Sequence, residues 1–225
     1  MALSASRLFA HANRSGVGSA GVPDFRYEDD LPKHVRPLVA GMDEVGRGPL
    51  AGPVCAAIVV LDRNAPPPSV DDSKVLTAKA REALFADICA SARAISFASA
   101  SAREIDAINI RQATHLAMRR AVAGLALAPA HILVDGNDPP PRLPCGVTAI
   151  VKGDSLSLSI AAASIVAKVL RDRMMTRLSV FHPEYDFDRH AGYATARHLA
   201  AIEMHGPCRH HRMTFSPMRQ GVLAL

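Results

Sequence analysis

Two adjacent acids, Asp43 and Glu44, stand just ahead of an arginine held between glycines in MDEVGRGPLAGP, residues 42–53. Carboxylates repel phosphate, whereas a Gly46-Arg47-Gly48 turn lets backbone approach it closely. A metal ion reconciles the two, since acids bind metal and metal binds phosphate. Two further acids end apolar, β-branched runs: Asp135 in HILVDG (131–136) and Asp154 in GVTAIVKGD (146–154). Singly, each such acid reads as a loop cap or turn former. Together they point to one edge of a sheet, where strand ends and loops converge. Oxygen-only ligation suits magnesium or manganese rather than zinc. Two such ions roughly 3.5–4 Å apart clamp an in-line phosphoryl displacement.

The elements needed to position these acids are legible in the chain. PLVAGMDEV (37–45) and PVCAAIVVL (53–61) read as strands of a hairpin bent over Gly48–Gly52. APPP at 65–68 breaks the pattern and DDSK follows in a loop. A helix is predicted from Thr77, its N-cap, to about Ser91, then a strand over 93–101. SARE at 101–104 is a capping-box signature opening a helix to about Leu125. Strands at 131–136 and 146–154 precede a long helix from about Ser157 to Leu178. A short helix capped by Thr195 stops at Gly206-Pro207. This order argues for a mixed sheet flanked by helices.

Hydrophobic residues make up 49% of the 225, enough for one sizeable α/β core. The net charge of +5 fits a phosphate-rich partner but does not identify one. Cys55, Cys89, Cys145 and Cys208 are scattered without a CxxC pair, which argues against a zinc site or disulfide framework and for a reducing, cytoplasmic location. No apolar run is long enough to span a bilayer. Residues 1–36 are expected to form a flexible extension outside the fold, and 37–225 a single domain. Adjacent His210 and His211 point apart on any regular element, against a second metal site.

GMDEVGRGPLAGPV, DDSKVLT, ILVDGN, VKGD…IAAASIVAKVLRDRMM, HAGYAT and HGPCRHHRMTFSP, taken in order, resemble the bacterial ribonuclease HII family over about residues 38–219. The resemblance implies a ribonuclease H-like α/β fold with a small helical C-terminal region, about 180–225. It implies endonucleolytic cleavage of RNA in RNA–DNA hybrids and incision 5′ of single ribonucleotides in duplex DNA, with two Mn2+ or Mg2+ ions. Asp43, Glu44, Asp135 and Asp154 match the family's catalytic, metal-binding acids. Gly46, Arg47 and Gly48 match a turn that senses the ribonucleotide 2′-hydroxyl, the group that marks RNA. Tyr193 matches a tyrosine stacked on the next sugar, and Ser73 and Lys74 a phosphate-contacting loop. Lys152, Ser164 and Lys168 also fall in matching motifs. A monomer is implied, and contact of the C-terminal MRQGVLAL with a replication clamp is left open beside a frayed end.

The chain departs from the family pattern at Ala191, Ala194 and Ala196, the first and last standing where lysine is frequent, which puts phosphate affinity in question. Rival readings are another two-metal nuclease or strand-transfer enzyme, a non-catalytic nucleic-acid binder, and a small-molecule phosphatase. The first would cut all-DNA duplex, the second would ignore a chelator, and the third would need a phosphate-cradling loop.

Overall fold

The computed structural model describes residues 22–68 and 77–218. Its first element is the short helix α1 (Arg26–Asp29), followed by strands β1 (Val39–Val45) and β2 (Val54–Leu61) and helix α2 (Ala78–Ser91). Strand β3 (Ala92–Ala100), helix α3 (Ala102–Ala123) and strands β4 (His131–Asp135) and β5 (Gly146–Ile150) come next. Helices α4 (Leu158–Phe181), α5 (Phe187–His190) and α6 (Ala196–His205) complete the order. The sheet runs β3-β2-β1-β4-β5. β1 to β3 form an antiparallel meander, whereas β4 and β5 join β1 in parallel. The expected mixed sheet flanked by helices is what forms. Among the described residues no helix is long and apolar enough to cross a membrane.

Side-chain alternation along the strands splits the core into two layers. Val54, Ala56, Ile58 and Val60 of β2 pack with Ile105, Ala113, Ala117 and Met118 of α3. The intervening Ala57, Val59 and Leu61 face Ala162, Ile165, Val166 and Val169 of α4, together with Ile88 of α2. All eight residues of β2 are buried, as a strand covered on both faces requires. The alanines of α4 let that helix lie close to the sheet. Its closest approach is at Gly41, where a Cβ would stand 2.0 Å from the Ser159 backbone carbon. Any side chain at 41 would push α4 off β1.

The caps at Thr77, Ser101 and Thr195 fall where the sequence places them, and Ser157 adds another at the expected start of α4. Thr77, Ser101, Ser157 and Thr195 each accept from the backbone three residues on, and Ser101–Glu104 is a full capping box. Two differences have local causes. Helix α3 is interrupted at Asn109, whose φ of 66° is non-helical and whose side chain caps Gln112 N, restarting the helix. The strand expected over 146–154 stops at Ile150, and Gly153–Ser155 form a 3-10 turn after left-handed Lys152. Asp154 therefore sits in a turn beyond the strand end.

Within the expected extension, the described residues 24–35 pack on the domain. Glu28 of α1 is buried and accepts from Ser157 Oγ at 2.7 Å and Ser159 N at 3.1 Å. Leu158 N donates to Asp24 O, while Leu31 and Val35 pack on a small cluster around Leu133 and Ile160. A carboxylate at the N-terminus of α4 meets both its orphan amides and its dipole. Residues 24–35 thus belong to the domain. At the other end, α5 and α6 build a separate small core of Tyr185, Phe187, Ile202 and Met218 around Leu50 and Ala51.

Candidate active site

Parallel pairing of β1 with β4 sets Gly41 beside Leu133 and Met42 beside Val134, and Asp43 and Asp135 are the next residues along the two strands. Both carboxylates leave the sheet on the α4 side. Ser164 of α4 donates a hydrogen bond to Asp43, whose Oδ1 also accepts from Glu44 N at 2.7 Å. Asp135 Oδ1 accepts from Gly153 N at 2.7 Å and from Asp154 N at 3.4 Å, so the 3-10 turn is tied to the acid of the neighbouring strand. Asp43, Glu44 and Asp135 line one cavity of about 560 Å³ together with Arg81, Ser164, Lys168 and Tyr193. Asp154 is buried against this corner through its backbone and is not part of the cavity wall.

Electrostatically the corner is unfavourable as it stands. Burial holds the Asp43 carboxyl well above the ordinary carboxylate range, and the charges of Glu44 and Asp135 push the same way. Burial also raises Glu44, against the pull of Arg47, whose guanidinium lies 3.3 Å from Glu44 Oε1. Among the described residues no three His, Cys, Asp or Glu side chains close into a ready-made metal cage. The donors at this corner are all oxygens, and a hard divalent cation would relieve both desolvation and repulsion. The corner thus fits Mg2+ or Mn2+ by its chemistry.

The remaining sequence-predicted residues divide in two. Ser164 and Tyr193 are at the cavity, Tyr193 being 47% exposed and close to Gly48, where a Cβ would meet its ring at 3.7 Å. Arg47 and Gly48 are exposed beside it and Gly46 is buried. Lys152 is exposed and lies off the cavity wall, its left-handed backbone turning the chain into Gly153. Lys168 lines the cavity and pairs with Asp172 at 2.8 Å. Ser73 and Lys74 lie outside the described residues.

Three arginines escape sequence reasoning. Arg81 of α2 reaches the cavity. Arg171 and Arg212 are fully buried behind the Gly46–Pro53 loop. Both sit in motifs quoted above, VLRDRMM and HHRMTF, but a buried guanidinium has no signature that separates it from a surface one. His211 is buried too, with Nε2 3.0 Å from His198 Nε2, and His198 Nδ1 is 2.9 Å from Tyr193 O. Packing of the C-terminal core, not metal chemistry, accounts for that pair.

A mixed five-stranded sheet with carboxylates meeting at the ends of β1 and β4 defines a ribonuclease H-like α/β protein. The Ribonuclease HII family model matches residues 40–218. A ribonuclease HII from Brucella canis is 59% identical over 198 residues, covering 88% of this chain and 90% of that protein. Among solved structures, the ribonuclease H2 from Pyrococcus horikoshii superposes with a TM-score of 0.68 at 27% identity, over 81% of this chain and 95% of the other. The RNase HII of the PCNA complex from Archaeoglobus fulgidus gives 0.65 at 27% identity, over 83% and 98%. The chain belongs to the ribonuclease HII family: it is a metal-dependent ribonuclease, an endonuclease acting on RNA–DNA hybrids.

Proposed function

We propose that this enzyme incises the phosphodiester on the 5′ side of a ribonucleotide, including a single one embedded in duplex DNA, leaving 5′-phosphate and 3′-hydroxyl ends. The observation that carries this reading is the shared cavity: Asp43, Glu44 and Asp135 line one opening with Tyr193, whose ring lies beside the exposed Gly48. Acids and a ribose-reading surface within one cleft match a reaction in which the cut bond is chosen by the sugar beside it.

Asp43, Glu44, Asp135 and Asp154 are the proposed holders of two divalent ions, Mg2+ or Mn2+, which when bound supply Lewis acidity at the attacking and leaving oxygens. Ser164 orients Asp43 by donating to it, and the amides of Gly153 and Asp154 fix the Asp135 carboxylate. The Arg47 guanidinium keeps Glu44 in place through their ion pair. Backbone of Gly46, Arg47 and Gly48 reads the 2′-hydroxyl, and the exposed ring of Tyr193 offers a flat apolar face to the next sugar. Lys168 and Arg81, at the cavity wall, add positive charge for the phosphates, and Ser73, Lys74 and Lys152 are the further proposed substrate contacts. The enzyme works in the cytoplasm as a monomer on RNA–DNA hybrid and ribonucleotide-bearing duplex. An archaeal relative is solved in complex with PCNA. A similar clamp contact through the C-terminal residues is a further part of this reading.

The test is incubation of the protein with duplex DNA carrying one ribonucleotide, with Mg2+ or Mn2+ and then with chelator. A single cut 5′ of the ribonucleotide, stopped by chelator and absent from the all-deoxy duplex, is expected. Equal cutting of the all-deoxy duplex would refute it.

A further inference from the structure

Behind the Gly46–Pro53 loop lie two guanidiniums that no salt bridge neutralises among the described residues. Arg212 Nε donates to Gly52 O at 3.0 Å, Nη1 to Arg47 O at 2.9 Å, and Nη2 to Gly46 O at 2.5 Å and Gly52 O at 2.9 Å. Arg171 Nε donates to Pro53 O at 3.0 Å and Nη2 to Ala51 O at 3.4 Å. Asp106, the acid whose charge reaches Arg212, accepts from Met213 N, Thr214 N and Thr214 Oγ1 instead. Cys55, beside both arginines, is held as a neutral thiol by burial, its pKa pushed up to about 12. Burying cations with only carbonyl dipoles to receive them is costly. Burial and the Arg171 charge accordingly depress Arg212 to about 9.

What the arrangement achieves follows from peptide geometry. In a trans peptide the C=O and the following N–H point in opposite directions. With Gly46 O and Arg47 O drawn inward onto Arg212, the amides of Arg47 and Gly48 are turned away from that guanidinium. Neither amide donates to a backbone carbonyl among the described residues. Gly46 takes a φ of +89°, and a Cβ there would stand 2.2 Å from Arg171 Nε, so the loop is moulded onto the guanidiniums directly.

We infer that Arg171 and Arg212 are positioning residues, a carbonyl clamp that aims the Arg47 and Gly48 amides at the ribose and so sets the discrimination between ribonucleotide and deoxyribonucleotide. Neither touches substrate. The inference rests on the proposed reading of the Gly46–Gly48 turn. Lysine tests it, because one ammonium keeps the charge but cannot span the carbonyls of residues 46, 47 and 52 as a planar fork does.

The measurement is fluorescence anisotropy with the whole chain carrying Asp135→Asn to silence cleavage. A duplex with one ribonucleotide is compared with its all-deoxy counterpart, with and without Arg212→Lys or Arg171→Lys. The expected result is a ratio of affinities that falls at least about tenfold in Arg212→Lys, with all-deoxy binding within about twofold of the parent. An unchanged ratio, or equal loss on both duplexes, would overturn the clamp, the latter marking a merely structural role. Should Arg212→Lys fail to fold by circular dichroism, Arg171→Lys decides on the same criteria. A parent protein with no preference for the ribonucleotide would refute the turn's assigned reading, and the clamp with it.

Discussion

The acid corner and the arginine clamp are neighbouring regions that solve opposite electrostatic problems in different ways. At the corner, Asp43, Glu44 and Asp135 crowd like charges with Arg47 as partner to Glu44 alone. Behind the loop, Arg171 and Arg212 crowd like charges of the other sign, and the carbonyls of five residues receive them. Carbonyls can be supplied by folding, because a glycine-rich loop can turn its peptide planes inward. Carboxylates need a full positive charge, and among the described residues no cation pairs with Asp43. One region is thus completed by the chain itself, and the other is the one proposed to take an ion from solution. The first should be insensitive to chelator and the second defined by it.

Four changes would break or sharpen that contrast. The largest effect is expected at the corner. Asp135→Asn should lower cleavage by at least about a thousandfold while leaving hybrid binding within a few-fold, as gel assay and anisotropy would show. Activity near wild type would remove Asp135 from its role. Next comes Gly46→Ala, which places a methyl against Arg171 at positive φ. A stability loss of about 2–4 kcal/mol in urea unfolding is expected, equal with and without chelator.

Asp43→Asn should act in the other direction. Its folded-state pKa is raised, so wild-type stability falls as pH climbs from the ordinary carboxylate value through the folded one. In chelator near pH 7.5 the variant should gain about 1–3 kcal/mol, shrinking toward zero below about pH 3, where the wild type is protonated in both states. Added Mg2+ should raise the wild-type melting temperature and not the variant's. Equal response of the two would mean that the ion does not sit at Asp43.

The smallest effect concerns His211, next to Arg212 and depressed to about 4, chiefly by burial and then by the charge of His198. Its contribution is complete above the ordinary value of 6.5 and is lost as pH falls toward 4. Between pH 6.5 and 5 the wild type should lose about 1–2 kcal/mol that His211→Gln does not, measured by unfolding at each pH. Parallel curves would show that His211 is not held neutral.

Most of the scaffold is legible in the chain because local rules decide it. The continuous apolar run PVCAAIVVL, the capping box at Ser101 and the caps at Thr77 and Thr195 are read within a few residues, and the structure places each there. The meeting of Asp43 with Asp135 was less direct, since it depends on parallel pairing of strands 92 positions apart, yet the repeated acid-after-strand pattern foretold it. Glu28 gave no signal, because a lone glutamate in a polar N-terminal stretch has nothing to set it apart from a solvated one. Only the fold brings the first turn of α4 to it.

Sequence alone determined most of the elements, their order along the chain and the placing of acids at strand ends, since periodicity, caps and strand ends are short-range properties. Tertiary structure alone decided which charges are buried. Whether an arginine meets water or the carbonyls of a loop more than a hundred residues away depends on packing, and charge type carries no record of its surroundings.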